Sequence, residues 1–425
     1  MKGLKLLSTT LSIVIFLFGC GVLGSDNGRD DGKTIAETTI STSEPAKSSD
    51  TSSKPPEPAV DPITLRMADM SLDEKIGQLL FLGFQGTVLD EQAMEVIDSY
   101  KPGGLIVMGE NVKSATQLLA LVNSLKAESS KSRIPAFISV DEEGGRVSRM
   151  PPELKDIPSA RTIGKTGSAD IANRVGLVIA EELKAFGFNM DFAPVLDIWS
   201  NPKNTVIGDR ALGTDADTVG RLGVQVMKGL AAAGVIPVVK HFPGHGDTIA
   251  DSHKELPISE SSLERLKSFE LKPFAEAYAN GADAVMVAHI LLPKVDAENP
   301  ASLSRTFITD ILRKQIGFDG IVITDDMTMG AISKNYGLAE AALMSFKAGS
   351  DMILVVHGYE DEAAVAEALK NAVQSGEISR DRLDESVYRI LKLKEKYKIG
   401  NVNIDAVDIE KLNSEIEKVK RGVHT

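Results

Sequence analysis

Residues 240–253 read KHFPGHGDTIADSH and hold three of the chain's six histidines, with two aspartates, one lysine and two glycines. Imidazole and carboxylate at such density suit two chemistries. One is metal-assisted hydrolysis, for which His241, His245, Asp247, Asp251 and His253 are the right ligand types. The other is proton transfer at a glycosidic bond, where a carboxylate attacks from one side and a donor protonates the leaving oxygen from the other. Nucleophilic serine, phosphate-loop and redox-dithiol chemistry find no support, because GxSxG, a Walker loop and CxxC are all missing from the sequence.

The elements that must carry these residues follow from alternation. Apolar, β-branched runs fall at 79–84, 104–109, 135–141, 189–198, 235–242, 284–290, 320–326 and 352–358, with amphipathic stretches between them. Ser71 and Glu74 form a capping box ahead of LDEKIGQLLF. Residues 168–186 have helical spacing and stop at Gly187, and LAEAALMSFKAG stops at Gly349. SRDRLDESVYRILKLKEKYKI reads as one more helix closing the domain. Eight buried strands alternating with helices predict a closed parallel (β/α)8 barrel in the α/β class. A doubly wound open sheet has the same strand count, but no glycine-rich phosphate fingerprint follows the first strand.

In such a barrel the chemistry lies at the C-terminal ends of the strands. The runs end on polar residues: Asp141 after the third, Asp191 and Asp197 in the fourth, and Lys240 and His241 at the fifth. His289 ends the sixth, Asp325 and Asp326 the seventh, and His357 the eighth. One polar strand end is ordinary solvation; a full rim of them is the pattern of an active site.

The termini read differently. MKGLK followed by LLSTTLSIVIFLFG has the charge and length of an export signal, and ends at Cys20, the single cysteine. LFGC resembles a bacterial lipoprotein signal, which implies lipidation of Cys20 after removal of the preceding residues and anchoring at the outer face of the bacterial cell membrane. Residues 21–61 are Ser-, Thr- and Pro-rich with few large apolar side chains, the composition of a disordered tether. The catalytic barrel is then expected over 62–400 and a polar, peripheral tail over 401–425. The net charge of −13, with no basic block, excludes a nucleic-acid partner and leaves neutral small substrates.

KHFPGHGDTIADSH resembles the signature of family 3 glycoside hydrolases, in the β-N-acetylglucosaminidase branch. LRKQIGFDGIVITDDM (312–327) is similar to that family's nucleophile segment. IPAFISVDEEGGRVSRM (134–150), NMDFAPVLDI and IGDRALG (207–213) also follow its pattern, so the likeness runs over residues 63–399. The resemblance implies a single-domain, retaining exo-β-N-acetylglucosaminidase that needs no metal or other cofactor. Asp325 would be the nucleophile that forms a glycosyl-enzyme, and His253, oriented by Asp251, the proton donor and acceptor. Asp141, Arg149, Arg210, Lys240 and His241 would bind the sugar, with Asp326 in support. Many relatives carry a glutamate acid on a second α/β domain. None is expected here after the eighth strand, so the loop after the fifth must supply the proton, with PGHGD as a glycine hinge that swings His253 over the sugar. Imidazole suits the task, with an ordinary pKa of ~6.5.

Blander readings stand beside these. His245 and Asp247 are expected to fix the loop, Asp191 and Asp197 to act as hydrogen-bond hubs, and Met327 and Met329 to pack. Trp199, His289 and His357 fit either packing or pocket lining. The expected partners are an N-acetylglucosamine-terminated glycan from peptidoglycan or chitin, and a membrane through the lipid anchor, with the protein a monomer. A β-glucosidase or β-xylosidase, a glycoside phosphorylase, a metal-dependent hydrolase and a lipid-anchored sugar-binding protein are the alternatives.

Overall fold

The computed structural model describes residues 61–248 and 251–424; Cys20 and segment 1–60 lie outside the described residues. Eight parallel strands form the sheet: β1 Leu80–Leu82, β2 Gly104–Val107, β3 Phe137–Val140, β4 Met190–Asp191, β5 Ile236–Phe242, β6 Ala284–Val287, β7 Ile321–Thr324 and β8 Ile353–Val355. Each neighbours the next in sequence order, and β1 pairs with β8. The circle closes at Ile323 and Met352, where the Met352 N–H donates to the Val322 carbonyl at 3.1 Å. Every residue of the eight strands is buried, as expected for strands filled inside and covered by helices outside. The expected (β/α)8 barrel is therefore the fold, and the open sheet is set aside.

The helices start and stop for local reasons. The Ser71 side chain accepts from the Glu74 N–H while Glu74 reaches back to the Ser71 N–H, so both halves of the capping box form. Helix Ala169–Phe186 is capped by Ser168 and ends at Gly187, whose φ of +94° no β-carbon favours. Leu338–Ala348 ends at Gly349, and Arg380–Lys396 is the closing helix.

Two expectations need amendment. Strand pairing in β4 stops after two residues, although its apolar run continues to Ile198. Pro194 has no N–H to give a ladder. Beyond it the segment meets β5 only through an isolated parallel bridge between Val195 and Lys240, with the Lys240 N–H donating to the Pro194 carbonyl at 3.1 Å and the Leu196 N–H to the Lys240 carbonyl at 2.5 Å. The segment 401–425 is not only a polar tail. Ile409–His424 is a helix whose Leu412, Ile416 and Val419 are buried against the rest of the domain. Their i, i+4, i+7 spacing places them on one stripe, and the surrounding charges face out.

The N-terminal end of the barrel is plugged by charge. Asp351, wholly buried, is paired with Arg313 and accepts from Arg389 at 3.1 Å, the Ser386 hydroxyl at 2.6 Å and the Val322 N–H at 2.9 Å. A buried carboxylate tolerates this position only because several donors meet it.

Candidate active site

At the opposite end, the strand ends enclose a cavity of about 210 Å³. Its wall includes Asp141 from the end of β3, Arg149 and Arg210 from the following loops, Lys240 and His241 from β5, and Asp325 after β7. His253 joins them from the loop after β5. That space is below the roughly 300–1,000 Å³ of sites for drug-sized ligands and fits one small polar molecule. A wider hollow of about 630 Å³ lies between the closing helix and the loops before β6 and β7, far from these residues. Size alone does not locate the chemistry here.

Lys240 and His241 are consecutive in a strand, so regular pleating would send them to opposite faces. The pairing of β5 with β6 shifts register between Val239 and Phe242. That irregularity brings both side chains to the cavity, a common use of bulges beside active sites. The Lys240–His241 peptide is cis.

A chain of charge-assisted contacts then runs along the floor. Asp197 accepts from Nδ1 of His241 at 2.6 Å, which leaves Nε2 as the acceptor for Arg210 at 3.3 Å. Arg210 grips Glu143 through Nε at 2.8 Å and a terminal nitrogen at 2.7 Å. Lys240 lies 2.7 Å from Glu143 and is also hydrogen-bonded to Asp141. Burial pushes the Glu143 carboxyl up, but Arg210 and Lys240 overcome it and hold it far below the usual range. Burial likewise opposes the charge on Lys240, and Asp141 and Glu143 reverse it, so the ammonium titrates above its ordinary value.

Asp325 follows β7 and is half-buried. Its N–H donates to the Val287 carbonyl at 3.0 Å, and its Oδ1 accepts from the Asp326 N–H at 2.9 Å. Burial raises this carboxyl. His289, His241, the Asp326 N–H and His253 outweigh it, so Asp325 sits below the ordinary carboxylate value and is ionised at neutral pH. Asp326 braces the rim: its carboxylate accepts from the Thr328 N–H and hydroxyl, at 2.9 and 2.6 Å, and from the Val356 N–H at 3.1 Å.

The Asp251–His253 pair forms through a tight turn. Oδ1 of Asp251 accepts from the His253 N–H at 3.0 Å and faces Nδ1 of the same ring at 2.9 Å. An Asx turn thus supplies the closure that i, i+2 spacing alone does not. The carboxylate fixes the proton on Nδ1, and Nε2 is left to exchange a proton with a ligand. Partial burial raises the Asp251 carboxyl, but its hydrogen bonds from His253 carry it below the ordinary value. The imidazole is 69% exposed, at the mouth rather than the floor.

The stretch before it is less of a hinge than its glycines suggest. His241 to Gly246 are all buried. A β-carbon at Gly246 would lie 1.7 Å from the Ile198 carbonyl oxygen, so this glycine allows close packing. The His245 N–H donates to Asp197 at 2.6 Å, and Asp247 accepts from the hydroxyls of Ser259 and Ser261 at 2.7 and 3.2 Å.

Most secondary readings resolve. Asp197 is a hub for His241 and His245, and Asp191 accepts from the Glu142 N–H at 2.9 Å. His289 is buried outside the cavity wall, its Nε2 donating to the Asp326 carbonyl at 3.0 Å and its Nδ1 meeting Ser302 at 2.6 Å. His357 and Met329 line the cavity, while Met327 is core. Trp199 donates to the Asn204 carbonyl at 3.0 Å, with Arg161 over its ring. The five residues weighed as metal ligands do not converge: among the described residues no group of three or more His, Cys, Asp or Glu could hold an ion. Sequence reasoning missed Glu143, whose signal was its place as the last of three consecutive carboxylates, Asp141, Glu142 and Glu143, after the third strand.

An ionised carboxylate, a carboxylate-oriented imidazole and buried cations around a small polar cavity define a barrel enzyme of the carbohydrate-cleaving class. Residues 71–393 match the glycosyl hydrolase family 3 N-terminal domain, and the chain belongs to that family. It is similar to a β-hexosaminidase of Methylobacillus flagellatus, 34% identical over 71% of this chain and 86% of that protein. It is 35% identical to β-hexosaminidase A of Pseudoalteromonas piscicida over 73% of this chain, and spans 56% of that protein's length. A solved family 3 β-N-acetylglucosaminidase from Paenibacillus sp. superposes with a TM-score of 0.78 at 41% identity, over 82% of this chain and 68% of that one.

Proposed function

We propose that this protein is a retaining exo-β-N-acetylglucosaminidase. Asp325 attacks the anomeric carbon and forms a glycosyl-aspartate. Nε2 of the His253 imidazolium protonates the departing oxygen; the neutral imidazole then takes a proton from the water that displaces Asp325 from the sugar, and Asp251 stabilises the imidazolium present before the first step and after the second. Asp141, Arg149, Arg210, Lys240 and His241 hold the sugar. The observation that carries this reading is that Asp325, kept ionised, and the Asp251-held His253 border one cavity. The names of the relatives above favour N-acetylglucosamine over glucose or xylose.

The test is hydrolysis of a panel of p-nitrophenyl β-glycosides by the purified protein. Release from the N-acetylglucosaminide alone supports the reading, and preference for the plain glucoside overturns the substrate.

The biological substrate follows from location. The export-type segment ending at Cys20 supports a lipid-anchored enzyme outside the cell membrane, where N-acetylglucosamine linked to muramic acid in peptidoglycan fragments is the nearest substrate. Chitin-derived oligosaccharides come second. Cys20→Ser should move the protein from the membrane to the soluble fraction. Retention on the membrane by that variant would argue against the anchor.

A further inference from the structure

His245 is the second histidine of KHFPGHG, and loop fixing accounts for only part of it. Its N–H donates to Asp197, its carbonyl accepts from the Asn204 side chain at 2.7 Å, and its Nδ1 meets the Thr248 hydroxyl at 2.6 Å. Nε2 is buried with no partner, on a residue 2% exposed. A buried polar atom without a partner costs about 1–3 kcal/mol, so its retention calls for a reason. The residue lines the same cavity as Asp325, and its ring lies edge-on to that of His241, with centroids 6.1 Å apart. Burial favours the neutral ring, so Nε2 carries either a lone pair or a proton, according to which way the Thr248 hydroxyl points. A sugar hydroxyl both donates and accepts, and answers either state.

We propose that Nε2 of His245 is a direct hydrogen-bond contact to a hydroxyl of the sugar bound beside Asp325, a specificity-determining role. The inference rests on reading the cavity as a sugar site, and it assigns His245 to substrate as well as to the loop.

Asparagine places its amide near the position of Nδ1, and glutamine places its amide near that of Nε2. His245→Asn therefore keeps a group for Thr248 and removes the contact, whereas His245→Gln does the reverse. The experiment compares kcat/KM of the full chain and both variants on p-nitrophenyl N-acetyl-β-glucosaminide and its three singly deoxygenated analogues, lacking the hydroxyl at carbon three, four or six. The wild type should lose roughly ten-fold or more on one analogue. His245→Asn should lose a similar factor on the parent substrate and nothing further on that analogue, and His245→Gln should regain the dependence on that hydroxyl. An equal penalty from His245→Asn on all four substrates, or no sensitivity of the wild type to any deletion, would overturn the contact and leave the activity standing. Failure of the wild type to cleave the parent would instead overturn the activity, and the contact with it.

Discussion

The Glu143 carboxylate takes two hydrogen bonds from the Arg210 guanidinium, at 2.7 and 2.8 Å, in a buried fork-to-fork pair. Lys240 shares the same carboxylate. One anion thus holds two of the cations that line the cavity. Glu143→Gln should leave both facing each other with the charge balance lost. The expected outcome is a loss of about 3–5 kcal/mol in unfolding free energy, the range for a broken buried pair, with a raised KM in whatever protein folds. Denaturant titration and steady-state kinetics check it; unchanged stability would show that Asp141 alone balances the site.

The dyad predicts a dependence on leaving group. His253→Ala should retain most of its kcat/KM on aryl glycosides that depart without a proton, while its kcat falls because water attack has lost its base, and should lose roughly 10²–10⁴-fold in kcat/KM on glycosides with poor leaving groups. Asp251→Asn should fall between the two enzymes. Equal losses of kcat/KM on both substrate types would rule out His253 as the proton donor.

Asp351 predicts a stability effect without a catalytic one. Asp351→Ala strands Arg313 and Arg389 at the far end of the barrel, and should cost about 3–5 kcal/mol. Because its partners are remote from the cavity, kcat/KM of the folded fraction should be unchanged. A change in kcat/KM at native temperature would contradict this separation of the two ends.

Glu142 predicts a pH dependence. Burial pushes its carboxyl up to about 7, against the opposing pull of Ser148 and of the Arg149 and Gly144 N–H groups. Its ordinary value is 4.5, so the folded state binds the extra proton, and this residue's contribution to stability falls as pH rises from 4.5 to about 7. Glu142→Gln removes that slope. Thermal melts of wild type and variant should diverge by about 1–3 kcal/mol in the variant's favour between pH 5 and pH 8. A constant difference across that range would mean that Glu142 is ionised throughout.

Much of this was legible because strands switch from apolar to polar where they leave the core. That switch alone assigns Asp141, Lys240, His241 and Asp325 to one rim. Three features were hidden for physical reasons. The register shift in β5 that brings Lys240 and His241 to the same cavity depends on β6, not on their own sequence. In DEEGG the two glutamates look alike, and only tertiary packing gives Glu143 to Arg210 and Lys240 and turns Glu142 towards the Gly144 and Arg149 N–H groups. The last helix buries so few apolar residues among so many charges that its stripe was too sparse to read.

The central claim is that Asp325 becomes covalently glycosylated. Intact-mass and peptide-mapping measurements on His253→Ala, quenched during turnover of an N-acetyl-β-glucosaminyl fluoride, test it most directly. The expected result is a population heavier by one N-acetylglucosaminyl group, carried on the peptide containing Asp325. Continued turnover with no adduct, or an adduct on any other residue, would contradict it.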